Sequence, residues 1–136
     1  MLNPEKQMPY DRTLLSKALP TIDSEKTVLR SESYLKEADI DVVKSKVYAI
    51  HTDKKLITLE KGKPLNYDKL VIATGCDPFL LPIEGIDAKG VHTLRSAKDQ
   101  TKLKEKLSQV KDSIVIIGSG LIGSEVAASI KSHYKS

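Results

Sequence analysis

The stretch Ser113–Ser136, SIVIIGSGLIGSEVAASIKSHYKS, decides how this chain is read. The run Ser113–Gly118 is apolar and reads as a strand buried on both faces. It leads into Gly118-x-Gly120-x-x-Gly123, and Leu121 to about His133 carries a helical pattern. Strand, glycine turn and helix, in that order, is the setting in which this spacing binds a dinucleotide. Gly118 permits the tight turn out of the strand. Gly120 puts no side chain between the backbone and a pyrophosphate. Gly123 lets the helix lie close on the strand, and Ala127, one turn later, keeps that contact small. Leu121 and Ile122 complete the loop. Free N–H groups at the helix start, with about half a positive charge, favour a phosphate. The competing reading is a glycine-rich strand–helix turn with packing value only. The acidic residue that would meet the ribose falls about 20 residues further on, past Ser136, so NAD and NADP are both open.

Composition narrows the rest. With 136 residues there is room for one small domain, and 40% hydrophobic with 29% charged residues suits a soluble globular chain. No apolar run approaches the roughly 18 residues of a membrane-crossing helix. The opening MLNPEKQMPYDR has no apolar core, so no secretory signal is read there. A single cysteine, Cys76, excludes an internal disulfide and a C-x-x-C pair. It is read as a small buried residue, and a reducing compartment, cytoplasmic or mitochondrial, is expected. The net charge of +4 is spread over scattered lysines, and the aromatic residues do not interleave with them, which argues against nucleic acid. His51, His92 and His133 lie far apart and show no metal spacing.

Working back along the chain, Pro4, Pro9 and Pro20 mark a loop with a short helix near Leu14–Ala18. Ser31–Ala38 predicts a helix capped by Ser31, with Tyr34, Leu35 and Ala38 inward. Strands are expected from Ile40, over Lys46–Thr52 and over Lys55–Glu60, the last two forming a hairpin through Asp53–Lys54. Lys61–Pro64 turns the chain into a buried strand, Lys69–Gly75. Residues 76–90, with Pro78, Pro82, Gly85 and Gly90, have a linker composition. A short strand is expected at Gly90–Leu94. Ser96-x-x-Asp99 predicts a capping box, with Leu103, Leu107 and Val110 at helical spacing behind it.

Four segments in order, PYDRTLLSK (Pro9–Lys17), YDKLVIATG (Tyr67–Gly75), VHTLRSAKD (Val91–Asp99) and IVIIGSGLIGSEVAAS (Ile114–Ser129), give the chain a specific resemblance. It resembles the FAD-dependent pyridine-nucleotide oxidoreductases, and among them the ferredoxin-reductase-like and apoptosis-inducing-factor-like branch. The resemblance implies that Arg12 meets FAD near its phosphates. It implies that Lys17 sits by the isoalloxazine ring, where an ammonium favours the reduced, anionic flavin. It assigns to Val47 a backbone contact with adenine, a position that a core valine in a hairpin explains equally well. Ala73, Thr74 and Gly75 match the strand end that passes close to FAD. Arg95 matches an arginine on the flavin side of the linker helix. Glu125 matches a glutamate near the nicotinamide of bound NAD(P)H, or serves only the helix dipole. Lys17 and Glu125 are thus the candidate catalytic pair. Disulfide-reductase relatives carry a cysteine pair where this chain has PYDRTLLSK, so direct electron transfer or oxidase-type chemistry is implied.

The expected fold class is α/β, an incomplete Rossmann-like, doubly wound FAD/NAD(P)-binding fold with a small antiparallel hairpin or meander insert. Residues 1–86 would be a partial FAD domain lacking the first G-x-G-x-x-G unit. Residues 87–136 would be the linker helix and first strand–helix unit of an NAD(P) domain. The implied activity is hydride transfer from NAD(P)H to FAD, with electrons passed to an iron–sulfur protein, a quinone or oxygen. The alternative is a non-catalytic binding module whose sheet a partner chain completes. Strands with open edges and exposed apolar faces would leave the chain alone marginally stable and a poor holder of FAD.

Overall fold

The computed structural model describes residues 1–17, 19, 21, 24–111 and 113–133. Ala18 and Pro20, part of the N-terminal reading, lie outside them. The elements run α1 (Leu14–Lys17), a 3₁₀ turn (Ser24–Thr27), α2 (Glu32–Glu37), β1 (Val47–His51), β2 (Leu56–Leu59), β3 (Leu65–Asn66), α3 (Ala97–Leu107) and α4 (Leu121–His133). They fall into two compact units, each drawing on separated stretches of chain: Met1–Pro9 with Val28–Gly75, and Tyr10–Thr27 with Cys76–Ser136.

The first unit holds the sheet. β1, β2 and β3 form an antiparallel meander in that order, with His51 opposite Leu56, Ile50 opposite Ile57 and Ile57 opposite Leu65. The hairpin turn, residues 52–55, falls where Asp53–Lys54 predicts it. β3 is additional to the expected strands; Gly62, at φ +109°, reverses the chain into it. The ladder is irregular between Val47 and Ala49, and Tyr48 is exposed there. The expected strand from Ile40 reduces to one parallel bridge, Leu2 beside Val43, with Asn3 N–H donating to the Val43 carbonyl at 3.0 Å. The Lys44 ammonium then ties down the carbonyls of Glu5, Lys6 and Gln7 at 3.3, 3.1 and 3.0 Å.

α2 begins as expected, the Ser31 hydroxyl accepting the Tyr34 N–H at 3.1 Å. It ends in a left-handed residue, Asp39 at φ 56°, with the Ile40 N–H reaching the Leu35 carbonyl and the Asp39 N–H the Lys36 carbonyl. That is a Schellman closure, with Asp where Gly is usual. Of the inward stripe only Leu35 is buried. Tyr34 is exposed and lies under the Arg30 guanidinium, and Ala38 is exposed as the C-cap.

The second unit is helical. Leu19, Leu107, Val126 and Ile130 form one buried cluster and Tyr10, Leu15 and Ala97 another, with Leu94 packed against both. α3 opens on the predicted capping box: the Ser96 hydroxyl accepts the Asp99 N–H, and Asp99 accepts the Ser96 N–H. The helix stops at Leu107, so Val110 lies beyond it and is exposed.

The expected strands Lys69–Gly75, Gly90–Leu94 and Ser113–Gly118 are not assigned as strands; among the described residues they have no ladder partner. Several of their apolar side chains face solvent, Val71 at 85% and Val115 at 84% exposure, while Leu94 packs against the helical clusters. A strand exists only where a neighbour accepts its N–H groups.

Candidate functional site

The geometry of the glycine loop separates the roles of its glycines. Gly118 has φ +115°, a conformation that a side chain rarely adopts, so the turn out of the extended segment needs glycine. A Cβ on Gly123 would collide with the Gly118 carbonyl, with Ile116 Cγ2 a further neighbour at 3.7 Å. The third glycine therefore permits the close approach of helix to extended segment. A Cβ on Gly120 would meet nothing within 4 Å. That flank is open to a ligand. Leu121 and Ile122, in the first turn of α4, are both exposed, and Ala127 is exposed rather than buried against the extended segment. The Ser124 N–H reaches back to the Gly120 carbonyl at 3.0 Å.

A second cluster forms around the head of α3. The Arg12 guanidinium donates to the Tyr10 hydroxyl at 2.9 Å and to the Arg95 carbonyl at 3.0 Å, and lies 4.9 Å from the Tyr10 ring centroid. The same hydroxyl accepts the Ala97 N–H at 3.0 Å, satisfying one free donor of the helix start. Arg95 Nε donates to the Cys76 carbonyl, and its backbone N–H to Asp99. Asp99 also accepts from the Ser96 hydroxyl at 2.8 Å. Partial burial pushes the Asp99 carboxyl up; the Ser96 and Arg95 hydrogen bonds, with Lys102 nearby, outweigh it and hold the group below its ordinary value. The Arg12 side chain is thus tied to the Arg95 main chain, and the Arg95 side chain to the Cys76 carbonyl. Arg12, Leu15, Ser16, Leu94, Arg95 and Ile122 line an open cleft.

A third cluster joins α1 to α4. The Ser16 hydroxyl donates to Glu125 Oε2 at 2.5 Å, and Lys17 Nζ stands 4.0 Å from Glu125 Oε1. Ser129, one turn beyond Glu125, donates through its hydroxyl to the Ser16 carbonyl at 2.9 Å or the Lys17 carbonyl at 2.8 Å. The Lys17 side chain is 53% exposed and that of Glu125 29%, so their ion pair is worth about 0–1 kcal/mol. Its value is in placement, not stability.

Of the residues singled out in the sequence, Arg12, Lys17, Arg95, Gly118, Gly120, Leu121, Ile122, Gly123 and Glu125 all belong to the helical unit. Val47, Ala73, Thr74 and Gly75 belong to the sheet unit. Val47 pairs with Leu59 and is exposed rather than a core valine; Ala73–Gly75 lies outside any strand and is exposed, with Gly75 at φ 69°. Cys76 corrects an expectation: it is exposed, not buried, because it lies in a stretch outside any regular element. Sequence reasoning passes over Tyr10, Ser16 and Ser129. The first two sit inside PYDRTLLSK, close to the basic positions; Ser129 is marked only by its spacing of four from Glu125. Among the described residues no group of His, Cys, Asp and Glu could hold a metal ion, and no helix is long and apolar enough to cross a membrane.

Comparison with known proteins places this geometry. The family model described as pyridine nucleotide-disulphide oxidoreductase matches residues 1–136. The ferredoxin–NAD(+) reductase component of the biphenyl dioxygenase system of Paraburkholderia xenovorans is 37% identical over 133 residues, 96% of this chain and 32% of that protein. The ferredoxin reductase for the CYP199A2 system of Rhodopseudomonas palustris has a TM-score of 0.90 at 29% identity, covering 96% of this chain and 33% of that one. The reductase in the covalent putidaredoxin reductase–putidaredoxin complex has a TM-score of 0.81 at 30% identity, with 96% and 33% covered. The chain spans about a third of the length of these proteins. The expected fold class, a partial Rossmann-like α/β fold with an antiparallel insert, is the one found.

Proposed function

The chain belongs to the pyridine nucleotide-disulphide oxidoreductase family, and on that premise we propose that its residues serve a flavoprotein oxidoreductase. In that reading a hydride passes from NAD(P)H to FAD, and electrons go on to a small iron–sulfur carrier, a quinone or oxygen. One observation carries it: the third glycine of the loop has no room for a Cβ while the second has open space. A turn kept only for packing needs the first property and not the second. The loop fits a nicotinamide dinucleotide, its pyrophosphate against Gly120 and the N–H groups that open α4.

The other residues divide the work. Arg12 and Arg95, which line one cleft, offer their guanidiniums to the flavin, and Ala73, Thr74 and Gly75 offer their backbone, with Val47 on the adenine side. Bound flavin supplies the two-electron carrier. Lys17 offers a fixed positive charge where negative charge develops, and Glu125, which accepts from Ser16, holds that ammonium in place. Residues 1–86 act as the FAD part and 87–136 as the linker helix and opening unit of the NAD(P) part. The relatives support the carrier partner: one is a ferredoxin–NAD(+) reductase component and another is the reductase of a complex with putidaredoxin. The cysteine usage favours a cytoplasmic or mitochondrial setting.

The exposed apolar segments at residues 69–75 and 113–118 favour a second reading, in which the chain holds flavin only when a partner polypeptide pairs with them. Two titrations separate the readings. NADH added to the chain should shift the amide resonances of Gly118–Gly123; unmoved amides at saturating NADH would overturn the dinucleotide assignment. FAD fluorescence should be quenched weakly by the chain alone, and anaerobic NADH should bleach whatever flavin is bound. Tight flavin binding by the chain alone would remove the partner from the account.

A further inference from the structure

α1 is a helix of four residues, so none of its carbonyls gains much from its own ladder. Something else must hold its end. Ser16 and Lys17 are gripped twice by one face of α4. Glu125 takes their side chains, the Ser16 hydroxyl at 2.5 Å and the Lys17 ammonium at 4.0 Å. Ser129 takes their main chain, its hydroxyl lying 2.9 and 2.8 Å from the Ser16 and Lys17 carbonyls. A hydroxyl has one hydrogen, so it serves these acceptors in turn or shares between them. Residues four apart stand one above the other on a helix, which makes Glu125 and Ser129 a single edge against α1. Val126 and Ile130 are buried with Leu19 beside that edge. Apolar packing therefore holds the helices together, while the polar edge fixes where the end of α1 points.

We propose that Ser129 is a positioning residue: by holding the Ser16–Lys17 main chain, it keeps the Lys17 ammonium and the Glu125 carboxylate facing one space. This rests on the flavin reading for its consequence, since it ties the flavin-side lysine to the nicotinamide-side glutamate. The geometric part stands without any cofactor. Removing the hydroxyl leaves carbonyls that water can satisfy at the edge of the contact, so the fold survives while the lysine loses its fixed origin.

The test uses the full chain with its lysines ¹³C-dimethylated, the Lys17 resonance being identified by its loss in Lys17→Arg. In Ser129→Ala that resonance should move towards its position in Glu125→Gln, and Ser129→Thr, which keeps the hydroxyl, should restore it, with the α4 amides unchanged throughout. An unmoved Lys17 resonance in Ser129→Ala overturns the proposal. If Ser129→Ala loses α4, Ser129→Cys, similar in size and a weak donor, replaces it with the same two outcomes. With FAD bound, Ser129→Ala should slow flavin reduction by NADH about 2- to 10-fold at saturating NADH, the loss of one hydrogen bond's worth of placement. An unchanged rate overturns the coupling. Should neither variant nor wild type take up FAD or respond to NADH, the flavin reading falls, and the lysine resonance still decides the role of Ser129.

Discussion

Ile57 in the meander and Val115 ahead of the glycine loop are β-branched residues of apolar segments, yet Ile57 is 4% exposed and Val115 84%. The meander finds its partners locally. β1 reaches β2 through residues 52–55, and β2 reaches β3 around Gly62. Ile114–Gly118 is at least as apolar, but the next element along the chain is α4, and no described segment accepts its ladder bonds. Antiparallel neighbours need a short turn; parallel neighbours need a crossover of a dozen residues or more. An apolar run states that a segment wants burial. Whether it becomes a strand depends on chain far from it.

The largest expected effect tests that contrast directly. Ile57→Ala should cost about 2–5 kcal/mol, the usual range for emptying a buried aliphatic site. Val115→Ser should change stability by less than about 0.5 kcal/mol, as exposed positions do. Urea unfolding followed by circular dichroism reads both. A Val115→Ser loss matching that of Ile57→Ala would break the comparison, because it would mean that the segment is covered in solution.

A smaller effect sharpens the contrast within the glycine loop. Gly123→Ala forces a methyl against the Gly118 carbonyl and should cost about 1–3 kcal/mol through overpacking. Gly120→Ala enters open space and should cost less than about 0.5 kcal/mol. The order reverses for ligand: Gly120→Ala should weaken NADH binding by calorimetry with stability intact. If Gly120→Ala binds NADH as wild type does, the open flank faces solvent only.

The same physics decides how much of the molecule is legible in its sequence. The capping box at Ser96–Asp99, the Ser31 cap, the hairpin at residues 52–55 and the glycine turn are local chemistry, and each appears where the sequence puts it. The closeness of Lys17 and Glu125 is not legible from spacing, since more than a hundred residues separate them; only the resemblance brings both to one site. Tyr10 can be quoted within a motif, but its contact with the Ala97 N–H depends on how Leu15, Ala97 and Leu94 pack. The strands expected at Lys69–Gly75 and Ser113–Gly118 overreach, because an apolar pattern reports burial and carries no information about the neighbour. Cys76 is misjudged for the same reason: its burial is inferred from residue type, while its segment has no regular structure to bury it.

The mildest test concerns the head of α3, where local chemistry is complete. Asp99 accepts from Ser96 and from the Arg95 N–H, and these bonds hold its carboxyl below the ordinary value against the opposing pull of burial. A carboxyl lowered on folding adds stability above its unfolded value, about 3.9, and that stability is lost as pH falls through the folded value. Asp99→Asn keeps an acceptor of the same shape without the charge, so it isolates this contribution. At pH 6 wild type should exceed Asp99→Asn by about 0.5–1 kcal/mol, as for a helix cap. The gap should begin to close below about pH 4 and vanish once the folded carboxyl is protonated. Salt separates the bonds from the long-range field: charge–charge attraction to Lys102 is screened near 1 M, where the Debye length is about 3 Å, whereas the direct bonds to Ser96 persist. A gap that survives high salt but closes with acid therefore assigns the stability to the capping box. One that salt abolishes assigns it to Lys102, and then the head of α3, like Ile114–Gly118, depends on more than its own local sequence.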